Sequence, residues 1–309
     1  MNKLQLSILL LPMALAALLL ASGCQVTTKE TVAAEIGTPV TQQQMLEALK
    51  QPGIITFHKH TVASWQVPLS GLLNLDHPKA RAAGLEDREE PIEIYAYSLI
   101  HPTEGTFLVD SGVSERFNQA KPSPDIGLLV NAVMRFDEMK VTVTTKDIDS
   151  ALSGIDGVLL THLHLDHILG LTDLEKSTPV YVGPREKNLQ TAMNAFTQGT
   201  TNRLLSNQTN LSVWNFGDGN IIDVFGDGHL FAIHAAGHTP GTTAYLANTT
   251  AGVELMIGDV THTKWGWDNQ VESGTYSHQP TDSARALAQI KAIADSIQNL
   301  KVHPGHQHL

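Results

Sequence analysis

Apolar positions in this chain fall into short runs bounded by Gly, Pro, Asn and Asp, the pattern of strands, with longer amphipathic stretches between them that predict helices. Gly157-Val158-Leu159-Leu160 is an unbroken run, as expected of a strand covered on both faces. Residues 54–57, 92–100, 105–109, 179–182 and 254–257 have similar strand content. Residues 221–225 and 229–234 flank Gly226-Asp227-Gly228, the strongest hairpin signal in the chain. Helices are predicted over residues 41–50, 125–140, 185–197 and 282–298, the first with a capping box between Thr41 and Gln44 and a stop at Pro52-Gly53. Residues 145–149 lead into the strand at Gly157, and the charge-dense residues 85–91 predict a solvated loop. This mixture of patterns predicts layered α and β elements around one core, an α+β fold.

The first residues change the picture. Lys3 precedes an apolar run over residues 8–21, interrupted by Pro12. The run is shorter than the ~20 residues needed to cross a bilayer, so a cleaved export signal fits better than a permanent span. Leu20-Ala21-Ser22-Gly23-Cys24 resembles the lipobox of bacterial lipoproteins. The resemblance implies cleavage before Cys24, lipid attachment to Cys24 and, with Gln25 following, retention at the outer membrane of the cell envelope. Residues 25–40, rich in Thr, Ala and Glu without an apolar period, are expected to form a tether. The expected division is therefore a signal over 1–23, a tether and short helix over 24–53, and one domain over 54–309.

Cys24 is the only cysteine, so no intrachain disulfide supports the fold. About 285 mature residues with 42% apolar content suffice for a large core. Removing residues 1–23, which hold one Lys and no acid, takes the formal charge from −11 to −12. That balance argues against nucleic acid as a partner.

The chemistry concentrates in Thr161-His162-Leu163-His164-Leu165-Asp166-His167. The fixed pattern His-x-His-x-Asp-His should arise by chance in only ~0.2% of chains this long. If the preceding strand continues through the first two histidines, His162 and His164 share a face and Asp166 and His167 lie in the turn. Further donor groups follow at predicted strand ends: His238 in Gly237-His238-Thr239-Pro240-Gly241, Asp259 after Gly258, and His306 after Pro304-Gly305. Imidazole and carboxylate suit Zn²⁺, although iron, manganese or cobalt could use the same donors. Asp110, in Asp110-Ser111-Gly112, is expected to be a turn residue anchoring neighbouring N–H groups and not a ligand.

Taken in order, these motifs resemble the metallo-β-lactamase fold superfamily from about residue 54 onward, and are most similar to its branch of N-acyl homoserine lactonases, organophosphate hydrolases and glyoxalase-II-like thioesterases. The resemblance implies a four-layer αβ/βα sandwich with a two-metal site on one edge. It places one cation on His162, His164 and His238, a second on Asp166, His167 and His306, and Asp259 between them; Asp166 is also a catalytic candidate. Such a pair brings a shared solvent molecule toward ionisation at neutral pH, making hydroxide available as a nucleophile. His303 is the rival to His306, while His234 and His308 are expected outside the ligand set.

Many lactonases carry Tyr where this chain has His262, so a supporting role at a developing oxyanion is expected of that imidazole. Trp265 and Trp267 are the first candidates to wall an apolar substrate pocket, with Trp65 and Tyr276 behind them. The expected activity is hydrolysis of a small ester, most of all a lactone of the acyl homoserine type. Phosphotriester or thioester hydrolysis is the alternative within enzymes, followed by β-lactam hydrolysis. A metal-binding envelope lipoprotein without turnover is the alternative outside them.

Overall fold

A computed structural model describes residues 24–309; the expected signal over 1–23 lies outside them. In chain order the strands are β1 (Thr31–Ala33), β2 (Thr38–Pro39), β3 (Thr56–Pro68), β4 (Glu89–His101), β5 (Gly105–Val109), β6 (Lys140–Val141), β7 (Gly157–Leu159), β8 (Val180–Val182), β9 (Leu211–Val213), β10 (Ile221–Asp223), β11 (Leu230–His234), β12 (Thr243–Thr249), β13 (Gly252–Gly258) and β14 (Lys301–Pro304). They form two sheets, ordered β1-β9-β8-β7-β5-β4-β3-β6 and β14-β13-β12-β11-β10-β2.

Strand alternation explains how these sheets stack. Tyr95, Tyr97, Leu99, Phe107, Val109 and Leu159 turn one way from the first sheet and meet Ile222, Leu230, Ala232, Tyr245 and Met256 of the second, forming a core between the sheets. The alternate residues Ile94, Leu108 and Val158 face outward and are covered by Val130, Ile148, Ile168 and Leu204. On the second sheet, Phe231, Ile233, Leu246 and Leu255 lie under Met45, Leu287, Ile290 and Ile293. The result is the four-layer order helix, sheet, sheet, helix, because each sheet is apolar on both faces.

Several expected elements move. The tether expected over 25–40 is packed onto the domain: β1 pairs with β9, β2 pairs with β10, Thr27 is buried, and Ile36 reaches the core between the sheets. Strands of two or three residues at sheet edges bury too few side chains to leave a period in the sequence. The helix expected over 125–140 spans only Leu128–Met134, because Arg135 turns into the left-handed region at φ 57°. The strand expected over 54–57 is the long β3, paired with β4, which also absorbs Glu89-Glu90-Pro91 from the expected loop. Residues 145–149 begin the helix Thr145–Leu152, closed by a capping box between Thr144 and Asp147. The helix expected over 185–197 runs over Ala192–Leu204. The capping box at Thr41 and the hairpin at Gly226-Asp227-Gly228 form as expected.

Orientation positions the site. β5 and β7 run parallel, as do β13 and β14, while β11 and β13 both run antiparallel to β12. Within each sheet, the strands preceding the donor motifs therefore discharge their loops at the same end.

Candidate metal centre

The strand before the first motif stops at Leu159, so His162 and His164 sit beyond it and not on its face. His164 is the N-cap of the short helix Leu165–Ile168, whose first turn carries Asp166 and His167. The loop and the helical turn beyond the strand, not strand alternation, bring these donors together. His238 arrives from the loop after β11, Asp259 follows β13 and His306 follows β14. Gly258 makes the exit from β13 at φ 50°. At Gly305 an added Cβ would lie 2.1 Å from Asp259 Oδ1, so only glycine lets the final loop close over that carboxylate.

The donors gather in three overlapping groups, each with its atoms within 4.8 Å of one another: His162, His164, His238 and Asp259; Asp166, His167 and His306; and Asp259, His262 and His306. His238 Nε2 stands 3.2 Å from His162 Nε2 and 2.9 Å from His164 Nδ1. Asp259 Oδ2 is 3.3 Å from His238 Nε2, 3.5 Å from His167 Nε2 and 3.6 Å from His162 Nε2. Its other oxygen lies 3.4 Å from His306 Nε2, which is also 3.3 Å from Asp166 Oδ2. Asp259 thus stands between the two groups.

Tautomers sharpen the argument. His306 Nδ1 donates to the Glu93 carbonyl at 2.9 Å and His262 Nδ1 to the Leu72 carbonyl at 3.1 Å, so each neutral ring turns an Nε2 lone pair inward. His167 Nδ1 meets Asp110 Oδ2 at 2.7 Å, and His238 Nδ1 meets Ser277 Oγ at 3.0 Å. His167 Nε2 and Asp259 Oδ1 are buried without a hydrogen-bond partner. Buried lone pairs facing one another are unfavourable unless a cation or proton lies between them. This donor set fits divalent metal ions held through imidazole and carboxylate.

The charges divide accordingly. Burial opposes a proton on His167, but Asp110, Asp259 and Asp166 outweigh it and hold its pKa well above the usual imidazole value. Burial likewise opposes a charge on His306, yet Asp259 and Asp166 raise it to about 10. His162 and His238, where burial dominates, fall well below the ordinary range, and burial takes His164 to about 4. The carboxylates thus favour positive charge at one group, while burial disfavours it at the nitrogens of the other.

Asp110 is not confined to its own turn. At φ 56° it directs its carboxylate to His167 and to Thr161, accepting from Thr161 N at 2.8 Å. Glu186 carries no motif in the sequence that would single it out. It is buried and accepts from Leu163 N at 3.1 Å, Gly241 N at 2.8 Å and the Thr239 hydroxyl, tying together the loops that bear His162, His164 and His238. Burial raises its pKa to about 6.

The rival histidines lie elsewhere. His303 Nε2 meets Glu254 Oε2 at 2.7 Å, His234 Nε2 donates to the Pro240 carbonyl at 2.9 Å, and His308 contacts Glu93 near the surface. His262 lies inside the cluster, with Nε2 3.0 Å from Asp259 Oδ2.

His164, Asp166, Asp259, His262 and His306 line a cavity of about 690 Å³. Its apolar wall includes Trp65, Ile92, Phe136, Leu165 and Leu189, with Trp65 stacked on Phe136 at 4.8 Å. Tyr276 joins the wall, but Trp265 and Trp267 do not. Both lie on the helix Lys264–Asn269, where Trp267 is buried in the outer core of the second sheet and Trp265 packs against that of the first. Their side chains complete cores instead of lining the substrate space.

Comparison with known proteins gives a consistent frame. The family profile of the Metallo-beta-lactamase superfamily matches residues 94–251, just over half of the chain. No curated protein matches. A quorum-quenching N-acyl homoserine lactone lactonase is similar in structure at a TM-score of 0.59 and 15% identity, over 83% of this chain and 93% of its own. AidC, a dizinc quorum-quenching lactonase in complex with a product, aligns at 0.56 and 14% identity, over 83% and 88% of the two chains. The hydrolase AbOPH of the beta-lactamase superfamily aligns at 0.52 and 17% identity, over 89% and 90%.

Proposed function

The chain belongs to the metallo-β-lactamase superfamily and has the site of a metal-dependent hydrolase; from that premise we propose that it opens a small lactone with an acyl substituent, of the N-acyl homoserine type. The observation that carries this reading is the junction of the clustered donors with a cavity whose walls are largely apolar. Such a cavity can bury an acyl chain while its polar floor receives the ester. The similar lactonases support the choice of lactone among esters.

We assign His162, His164 and His238 as the residues that would hold one divalent ion, taken as Zn²⁺, and Asp166, His167 and His306 as those that would hold a second, with Asp259 within reach of both groups. Bound there, two such ions would supply Lewis acidity and ionise water near neutral pH. The chain's own residues prepare the site. Asp110 and the Glu93 carbonyl fix the rings of His167 and His306, and Ser277 that of His238. Trp65 and its neighbours exclude water from the acyl side.

The role of His262 follows from its hydrogen bonds. With Nδ1–H given to Leu72 and Nε2 turned to Asp259, a neutral ring has no proton left for an oxyanion. We therefore assign His262 not to the oxyanion but to the donor group it forms with Asp259 and His306. We further propose that the protein resides in the cell envelope, held by lipid on Cys24; loss of labelled fatty acid from a Cys24→Ser chain tests that part separately.

The enzymatic reading is tested by metal analysis followed by turnover assays on acyl homoserine lactones of graded chain length, thioesters, phosphotriesters and β-lactams. Hydrolysis strongest on the lactones is the expected outcome. Two bound metals with no turnover on any class would return the protein to the metal-binding alternative.

A further inference from the structure

The cavity opens through a patch of exposed apolar side chains. Val133 and Met193, 64% and 53% exposed, line its mouth together with Met134 and Tyr276. Leu128 and Leu129, 77% and 72% exposed, project from the same helix as Val133, Leu128–Met134. Hydrogen bonds from Gly127 N to Thr200 Oγ1 at 3.3 Å and from Arg203 Nε to the Asp125 carbonyl at 3.0 Å brace this segment against the helix Ala192–Leu204. Scattered exposed apolar residues need no explanation, but a patch rimming a pocket marks an interaction site. The surrounding sequence has shed its charge: residues 126–134 and 188–202 contain no Asp, Glu, Lys or Arg.

The path of the chain indicates what covers this patch. Cys24 forms an isolated bridge with Thr191, two residues before Met193, and Val26 lines the cavity itself. A lipid carried by Cys24 would therefore leave the fold beside the cavity.

We propose that this face, built from Leu128, Leu129, Val133 and Met193, rests on a phospholipid surface, so that the cavity takes the acyl chain of an amphiphilic ester from the membrane. Apolar side chains projecting from a short uncharged helix sink into the headgroup and acyl boundary, and the strength of that contact grows with the area buried. The membrane then supplies the substrate at a locally high concentration and shields the mouth from water. The choice of ester rests on the function proposed above, while contact with the bilayer does not.

The test uses residues 24–309 with Cys24→Ser, which removes the anchor, and a unique cysteine introduced as Leu129→Cys or as Ala288→Cys. Ala288 is exposed on the helix Pro280–Asp295, over the outer face of the second sheet. Each cysteine takes a polarity-sensitive dye, and vesicles of phosphatidylethanolamine and phosphatidylglycerol carry nitroxide-labelled acyl chains. The expected result is a blue shift and quenching at position 129 and neither at 288. In the unlabelled Cys24→Ser chain, L128E/L129E lowers the vesicle-bound fraction at least about tenfold with the thermal midpoint unchanged. No quenching at 129, or equal quenching at both positions, overturns the proposal. A dye response at 129 that follows protein concentration without vesicles assigns the face to a second copy of the chain and overturns it too. None of these readings depends on turnover or on lipid attached to Cys24, so failure here is distinguishable from failure of the hydrolase reading.

Discussion

Asp110 shows how a residue can govern the centre without lying among the donors. Its carboxylate fixes which nitrogen of His167 carries the proton, leaving the other free for a cation. Asp110→Asn keeps the shape and removes the charge, and should weaken metal binding by about 10–100-fold in chelator competition. An unchanged affinity would restrict Asp110 to its turn. Glu186 acts one layer further out. Glu186→Ala leaves the Leu163 and Gly241 N–H groups buried without partners, at about 1–3 kcal/mol each, so its unfolding midpoint should fall. The carboxyl also has a pH signature, because burial raises its pKa from 4.5 to about 6. The folded state keeps the proton that the unfolded state has released, so this group's contribution is full below pH 4.5, falls as pH rises toward 6, and stays at its reduced level above that. The difference in stability between the native protein and Glu186→Gln should decline by about 2 kcal/mol across that window, as denaturant titrations at a series of pH values would register. A flat difference would mean that Glu186 titrates as an ordinary carboxyl.

At the scale of elements, the wall of the cavity reverses the order expected from the sequence: Trp65 and Tyr276 line it, and Trp265 and Trp267 do not. Trp65 projects from β3 onto Phe136 and donates Nε1–H to the Arg135 carbonyl at 3.2 Å, locking the end of the helix Leu128–Met134 against the cavity. Trp65→Ala should reduce kcat/KM for long-chain lactones by about tenfold or more while affecting short ones less, since a missing apolar wall is felt in proportion to the chain it covers. Trp265→Phe, away from the cavity, should leave the chain-length profile as it is. Equal losses across all chain lengths for Trp65→Ala would place its effect in the metal floor instead of the acyl wall.

For the whole molecule, the metal centre is a seam between the two sheets. Donors following β7 in the first sheet close against donors following β11, β13 and β14 in the second. Cations held there would join the layers as well as supply chemistry, linking folding to metal binding. Chelation should lower the thermal midpoint by several degrees, and readdition should restore it. Metal at a thousandfold excess over its Kd is worth about 4 kcal/mol to the folded state. A midpoint indifferent to metal would mean that the layers hold the donors in place unaided.

The sequence by itself determined the donor set as a list, the layered class and several local devices, such as the capping box at Thr41 and the hairpin at Gly226-Asp227-Gly228. These are legible because their physics acts over few residues: a cap needs a side chain three positions away, and a fixed His-x-His-x-Asp-His spacing survives on the page. Only the tertiary structure decided that His162 and His164 lie beyond the strand, with His164 at a helix N-cap, that Asp110 reaches His167, and that Glu186 joins two donor-bearing loops. It also decided that Trp65 lines the cavity while Trp267 fills a core, and that residues 25–40 lie on the fold. Each depends on contacts between residues far apart in the chain, and neither periodicity nor composition records which side of an element its distant neighbours will occupy.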